Sequence, residues 1–157
     1  MDSWRADGAI CALGTTRKQA GSAAAFRAID HDLVRQVAER CRQAGVPRFA
    51  LVSSLGADPR ARFLYPRTKG EVERAVEQLG FPSLAILRPG FLEGHRQEQR
   101  PMEKMMGMLL RVAAPLLPRS ARASASALVA AALVDAAIQQ PAGTQIISSE
   151  RFASSKQ

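Results

Sequence analysis

The chain has 157 residues, 46% hydrophobic and 23% charged, with 22 Lys and Arg against 14 Asp and Glu and a formal net charge of +8 at pH 7. This composition excludes a disordered polymer, and the length suits one domain over residues 1–157 rather than two. No apolar run reaches the length of a membrane span, Cys11 and Cys41 form neither a disulfide framework nor a metal-binding spacing, and residues 1–7 lack an apolar leader, so a cytoplasmic protein is expected.

In chain order, Ala9-Ile10-Cys11-Ala12-Leu13, closed by Gly14-Thr15-Thr16, reads as a buried strand ending in a turn. Residues 17–28 are mixed and read as a loop leading into a short helical stretch. From Asp30 onward Leu33, Val34, Val37, Ala38 and Cys41 recur at helical spacing, with Asp30 as N-cap and Gly45 and Pro47 as the stop. Residues 49–52 form a second apolar strand running into Ser53-Ser54. Pro66 suits a first helical turn, Val72, Ala75, Val76 and Leu79 make one stripe, and Gly80 and Pro82 end that helix before a third strand at 84–87.

Beyond Pro89, residues 91–100 read as a loop and 102–110 as a Met-rich helix stopped by Pro115 and Pro118. An Ala-rich helix over 120–139 and a last strand at 145–148 follow. The Met-rich helix packs as core or serves as an adaptable lid over a substrate. Helices alternating with apolar strands imply a parallel sheet covered on both faces, an α/β class.

One constellation carries chemistry. Ser53-Ser54 ends a strand, and Tyr65 and Lys69 follow at a spacing that puts both on one helix face, one turn apart. A lysine ammonium there stabilises a phenolate, and a serine hydroxyl at the strand end can polarise a carbonyl beside it. The set suits proton transfer accompanying hydride transfer by a cofactor. Ligands of open parallel sheets bind outside the carboxyl ends of the strands, where Ser54 lies. Tyr65 is the only tyrosine in the chain.

Leu51-Val52-Ser53-Ser54, Tyr65-Pro66-Arg67-Thr68-Lys69-Gly70-Glu71-Val72-Glu73 and Leu87-Arg88-Pro89-Gly90 resemble the atypical short-chain dehydrogenase/reductase superfamily. Residues 12–22 and 26–30 are similar to its NAD(P)-binding, oxidoreductase-like branch related to the Tat-interacting protein. The resemblance covers about residues 9–152. It implies a Rossmann-type fold and hydride transfer to or from a small-molecule carbonyl or alcohol, with NADP or NAD as cofactor. Tyr65 would be the proton donor or acceptor. Lys69 would bind the nicotinamide ribose and tune Tyr65, and Ser54, with Ser53 as fallback, would orient the carbonyl. Leu13, Gly14 and Thr15 would line the adenosine side, and Pro89, Gly90, Phe91 and Leu92 would pass under the nicotinamide. Asp30 falls where many relatives carry an Asn that anchors a relay water, a task an Asp performs imperfectly. Arg17 and Lys18 either meet a 2′-phosphate, favouring NADP, or form a solvated surface pair.

The family opens with a strand, a glycine-rich turn and a helix whose N-terminus holds the pyrophosphate. Here the eleven glycines lie so that neither G-x-G nor G-x-x-G occurs. Relative to the family, the chain is expected to be a partial Rossmann-type sheet flanked by helices and lacking the first βαβαβ portion, on the order of 60 residues at roughly 30 per unit. Impaired dinucleotide binding follows. The strand around Ile10 would become a sheet edge, favouring self-association. Alternatives are a non-catalytic Rossmann-like binding or regulatory module and a gene fragment. Dispersed arginines and few aromatics argue against nucleic-acid binding, and His31 and His95 lack metal-ligand spacing, so no metal is expected.

Overall fold

The computed structural model describes residues 5–90, 92–93, 124–139 and 141–152. Its frame is a four-stranded parallel sheet in the order β1-β2-β3-β6, from β1 (Ala9–Cys11), β2 (Arg48–Val52), β3 (Ser83–Arg88) and β6 (Gly143–Ser148). The register pairs Ile10 with Ala50, Ala50 with Ala85 and Ala85 with Gln145. Sequence neighbours are therefore sheet neighbours, and every strand runs the same way, as the alternation of helices and apolar strands requires.

Between β1 and β2 lie α1 (Arg17–Ala20), α2 (Ala23–Arg27), a π-helical segment (Ala28–Leu33) and α3 (Val34–Gln43). Thr16 and Ser22 cap the two short helices, their hydroxyls accepting the N–H of Gln19 and of Ala25. Residues 17–28 are thus largely helical rather than a loop. Asp30, read from the sequence as an N-cap, sits instead inside the π-helical segment. Capping by Ser22 starts the helical run eight residues earlier, and it continues to Gln43.

The helix α4 (Leu64–Glu77) joins β2 to β3 with Pro66 in its first turn. Beyond β3, Leu92–Glu93 form a short strand, β4, parallel to β5 (Ser124–Ala125), where the sequence reads as loop and helix. The Ala-rich helix α5 begins after β5 (Ser126–Gln139). Phe91, residues 94–100 and the expected Met-rich helix at 102–110 lie outside the described residues. Among the described residues no helix is long and apolar enough to cross a membrane.

Strand alternation sorts the core into two layers. Phe49 and Leu51 of β2 and Leu84 and Ile86 of β3 face α3 and α4, meeting Val34, Ala38, Cys41, Val72 and Val76. The alternate residues Ala50, Ala85 and Leu87 face Val129, Leu133 and Ala136 of α5. Phe49 stacks on Phe81 with ring centroids 4.8 Å apart. With aromatics this sparse, that pair supplies much of the bulk on the α3–α4 side. The carboxyl ends of β1, β2 and β3 emerge at one edge of this two-faced sheet, and the candidate site lies there.

Candidate active site at the carboxyl edge of the sheet

Ser53 and Ser54 follow β2 directly. The Ser53 N–H donates to the Leu87 carbonyl at 2.8 Å and the Leu55 N–H to the Pro89 carbonyl at 2.8 Å. Ser54 is therefore held between two backbone ties to β3. Its hydroxyl is buried and has no hydrogen-bond partner, as are those of Ser53 and Thr68. Unpartnered buried hydroxyls are costly and point to a donor reserved for something else.

The helix carrying Tyr65 and Lys69 packs tightly on the segment between β2 and α4. A Cβ on Gly70 would lie 2.2 Å from the Pro59 nitrogen and 2.3 Å from the Asp58 carbonyl carbon, so only glycine permits the contact. The Asp58 N–H donates back to the Pro66 carbonyl at 3.0 Å. Tyr65 is 46% exposed at the start of this helix, its ring 5.8 Å from that of Phe26. Lys69, one turn on, is buried.

Lys69 is not a free cation. Its Nζ lies 2.7 Å from Asp30 Oδ1, the side chains being 6% and 0% exposed. The other carboxylate oxygen, Oδ2, accepts the Thr15 N–H at 2.8 Å. A Cβ on Gly14 would stand 3.3 Å from Asp30 Oδ1 and 3.4 Å from Lys69 Nζ, so the turn after β1 presses against the ion pair. Asp30 thus pairs with the lysine directly, a role the sequence reading does not assign it. The available signal is the row Phe26, Asp30, Val34, Ala38, Cys41, a buried helical stripe with one carboxylate in its middle. Burial raises the Cys11 thiol above its ordinary range, partly offset by a hydrogen bond from the Leu13 backbone and by the nearby Lys69 charge.

Of the residues proposed from sequence, the structure brings Gly14, Thr15 and Lys69 to one point around Asp30. Ser54 and Pro89 are joined through the Leu55 tie, and Gly90 follows at the same strand end. Leu13 is exposed beside β1. Leu92 belongs to β4, in the second sheet, and Arg17 and Lys18 are exposed on α1.

Over 94 residues the chain is 49% identical to Protein fmp52, mitochondrial, of Emericella nidulans, a match covering 60% of this chain and 40% of that protein. Over 97 residues it is 48% identical to Protein HTATIP2 of Rattus norvegicus, covering 62% and 40%. Among solved structures it superposes on MoeE5 in complex with UDP-glucose and NAD with a TM-score of 0.63 at 20% identity, covering 87% of this chain and 54% of that one. A UDP-N-acetylglucosamine 4-epimerase from Bacillus cereus gives 0.64 at 15% identity, covering 90% and 56%. The chain carries a Rossmann fold of the short-chain dehydrogenase/reductase type.

No family model matches the chain. It spans about 40% of the length of the curated relatives it matches. The expectation of a generic cytoplasmic protein is corrected by these relatives, several of which are named as mitochondrial. Two buried, unpaired cysteines are compatible with any reducing compartment and cannot select one.

Proposed function

We propose that the chain carries the catalytic portion of an NAD(P)-dependent oxidoreductase acting on a small carbonyl or alcohol. The observation that supports this reading best is the buried, unpartnered Ser54 hydroxyl at a strand carboxyl end, in a fold whose α4 presents Tyr65 and Lys69 one turn apart. The relatives' names support a mitochondrial setting.

The residues fit one end of a nicotinamide dinucleotide. Ser54 has an uncommitted hydroxyl, and Lys69, ion-paired with Asp30 Oδ1 at 2.7 Å, carries three N–H donors, more than that one pairing occupies. The pyrophosphate end is not matched, since no glycine-rich turn occurs in the sequence. When bound, the cofactor gives or takes the hydride. Ser54 donates a hydrogen bond to the substrate oxygen and fixes its direction. Tyr65, exposed enough to meet a substrate, gives or takes the proton at that oxygen. Lys69 would hold the nicotinamide ribose hydroxyls and tune Tyr65, while Gly14 and Thr15, expected from the resemblance on the adenosine side, stand instead beside Lys69 and Asp30 and would line that same end of the cofactor. Impaired dinucleotide binding follows from the unmatched phosphate end.

Calorimetric titration with NADH and NADPH, alongside turnover of an aldehyde and ketone panel, tests this reading. Weak binding, weaker than micromolar, with turnover that Tyr65→Phe abolishes is expected. A micromolar or tighter constant overturns the impaired-binding claim, and absence of turnover at saturating cofactor overturns catalysis. A non-catalytic Rossmann-like binding module is the second reading, favoured by the missing G-x-G spacing. Dinucleotide binding without turnover would select it.

A further inference from the structure

A carboxylate in the middle of an apolar helical stripe needs a reason, because a buried charge is retained only when paired and hydrogen-bonded. Asp30 meets both conditions with partners from two different elements. Lys69 Nζ of α4 stands 2.7 Å from Oδ1, and the Thr15 N–H of the turn after β1 donates to Oδ2 at 2.8 Å. The local backbone serves this arrangement. Asp30 lies in a π-helical segment between two α-helices, where the extra residue per turn re-aims side chains, and such segments recur at functional sites. Gly14 provides the space, since a side chain there would crowd both Asp30 and Lys69. Other ionisable side chains are engaged elsewhere: Arg27 with Glu71, Arg88 with Glu73, and the His31 ring with Asp32. Of the described residues, Asp30 is the acid with which Lys69 forms an ion pair.

We infer that Asp30 is a positioning residue, a clamp that fixes the Lys69 ammonium against the Gly14-Thr15 turn so that this turn and the catalytic face of α4 hold one geometry. It does not touch substrate. It acts by allowing Lys69 a single direction, and through the same contacts it sets where the turn lies against a bound dinucleotide. The catalytic consequence rests on the oxidoreductase reading above, whereas the clamp itself does not.

The test uses the full chain. Lysines are acylated with an N-hydroxysuccinimide ester and mapped by mass spectrometry, with exposed Lys18 as internal reference, while amide exchange is followed at Thr15. In the wild type Lys69 is expected to react more than about tenfold slower than Lys18, and the Thr15 amide to be protected, as a buried, paired ammonium and a bonded N–H require. In Asp30→Asn, Lys69 labelling is expected to rise about tenfold and Thr15 exchange to quicken. Where turnover is measurable, kcat is expected to fall while KM for the carbonyl substrate holds, a split that general loosening would not produce.

Should Asp30→Asn fail to fold, Asp30→Asn/Lys69→Met removes both charges and is expected to recover a cooperative melt. A double variant no better folded than the single one overturns the clamp. So does a wild-type Lys69 that labels as fast as Lys18, or a folded Asp30→Asn with unchanged labelling and exchange. A wild type without turnover whose Lys69 still responds to Asp30→Asn supports the clamp and sinks the oxidoreductase reading alone. An active wild type indifferent to Asp30→Asn does the reverse.

Discussion

Arg88, at the end of β3, donates to Glu73 of α4 through two of its guanidinium nitrogens, Nε to Oε1 at 3.0 Å and Nη2 to Oε2 at 2.5 Å. The two-point bond ties the helix bearing Tyr65 and Lys69 to the strand that runs on into Pro89 and Gly90. Its members differ in exposure: the Glu73 side chain is buried, while that of Arg88 is 30% exposed. Losing the arginine strands a buried carboxylate, whereas losing the carboxylate leaves a guanidinium that can turn to water. Arg88→Met is therefore expected to cost about 1–3 kcal/mol and Glu73→Gln about 1 kcal/mol, an order that urea titration of both variants checks. Hydrogen bonding to Glu73 holds the guanidinium above its ordinary range, so the arginine's share is full below that range and is lost only as pH rises through it.

Gly70→Ala tests the seating of α4. In a free helix alanine gains roughly 1 kcal/mol over glycine. Here its Cβ would sit 2.2 Å from the Pro59 backbone nitrogen, so the helix or the 58–59 segment must move. A net loss of about 1–3 kcal/mol is expected by chemical denaturation, with reduced turnover because Tyr65 and Lys69 shift with the helix.

Tyr65→Phe separates chemistry from stability. The ring keeps its contact with Phe26, and the lost hydroxyl is on a residue already 46% exposed, so the melting temperature is expected to stay within a degree or two, as about 0.5 kcal/mol or less allows. Turnover, if Tyr65 is the proton donor, is expected to fall by about 10²–10⁴. Equal activity in the two proteins would remove Tyr65 from the mechanism.

Cys11 and Cys41 give a pH prediction. Burial raises both thiols above their ordinary value near 9.0, with Cys11 adding to the shift at Cys41. The unfolded chain then ionises its thiols before the native one does. Their contribution to stability is full below about pH 9 and is lost as pH climbs through the raised native values. The urea midpoint is expected to fall between pH 8 and 10, and to fall less in Cys11→Ala/Cys41→Ala. Iodoacetamide should alkylate either thiol of the native chain slowly at pH 8.

Among the described residues β1 pairs with β2 alone, and Ile10 is 44% exposed at that edge. An uncovered strand edge pairs with another chain unless something blunts it. Light scattering across a hundredfold concentration range is expected to show self-association, reduced in Ile10→Lys. A monodisperse monomer throughout would end this expectation.

Much of the fold is legible in the residues. Apolar runs at 9–13, 49–52, 84–87 and 145–148 become the four strands of the main sheet, and the alternation of Phe49, Ala50 and Leu51 already assigns its two faces. Local signals fail where a long-range partner decides. Asp30 has the chemistry of an N-cap and stands before a helical pattern, yet Ser22 starts the helical run, and Lys69, thirty-nine residues on, claims the carboxylate. Strand β4 and its partner β5 carry no periodicity of their own at two residues each, so nothing in the local pattern reveals them.

The sequence by itself determined the parallel sheet, the covering of β2 and β3 on both faces and the one-turn spacing of Tyr65 and Lys69, because periodicity and i,i+4 geometry are properties of neighbouring residues. The expected cover does not extend to β6, which is exposed at five of its six residues. The tertiary structure alone decided that Lys69 is paired to Asp30, that Ser54 keeps an unbonded hydroxyl and that Gly70 admits no side chain. Each depends on which distant backbone or charge arrives beside it. The length that suits one domain also spans only about 40% of the curated relatives.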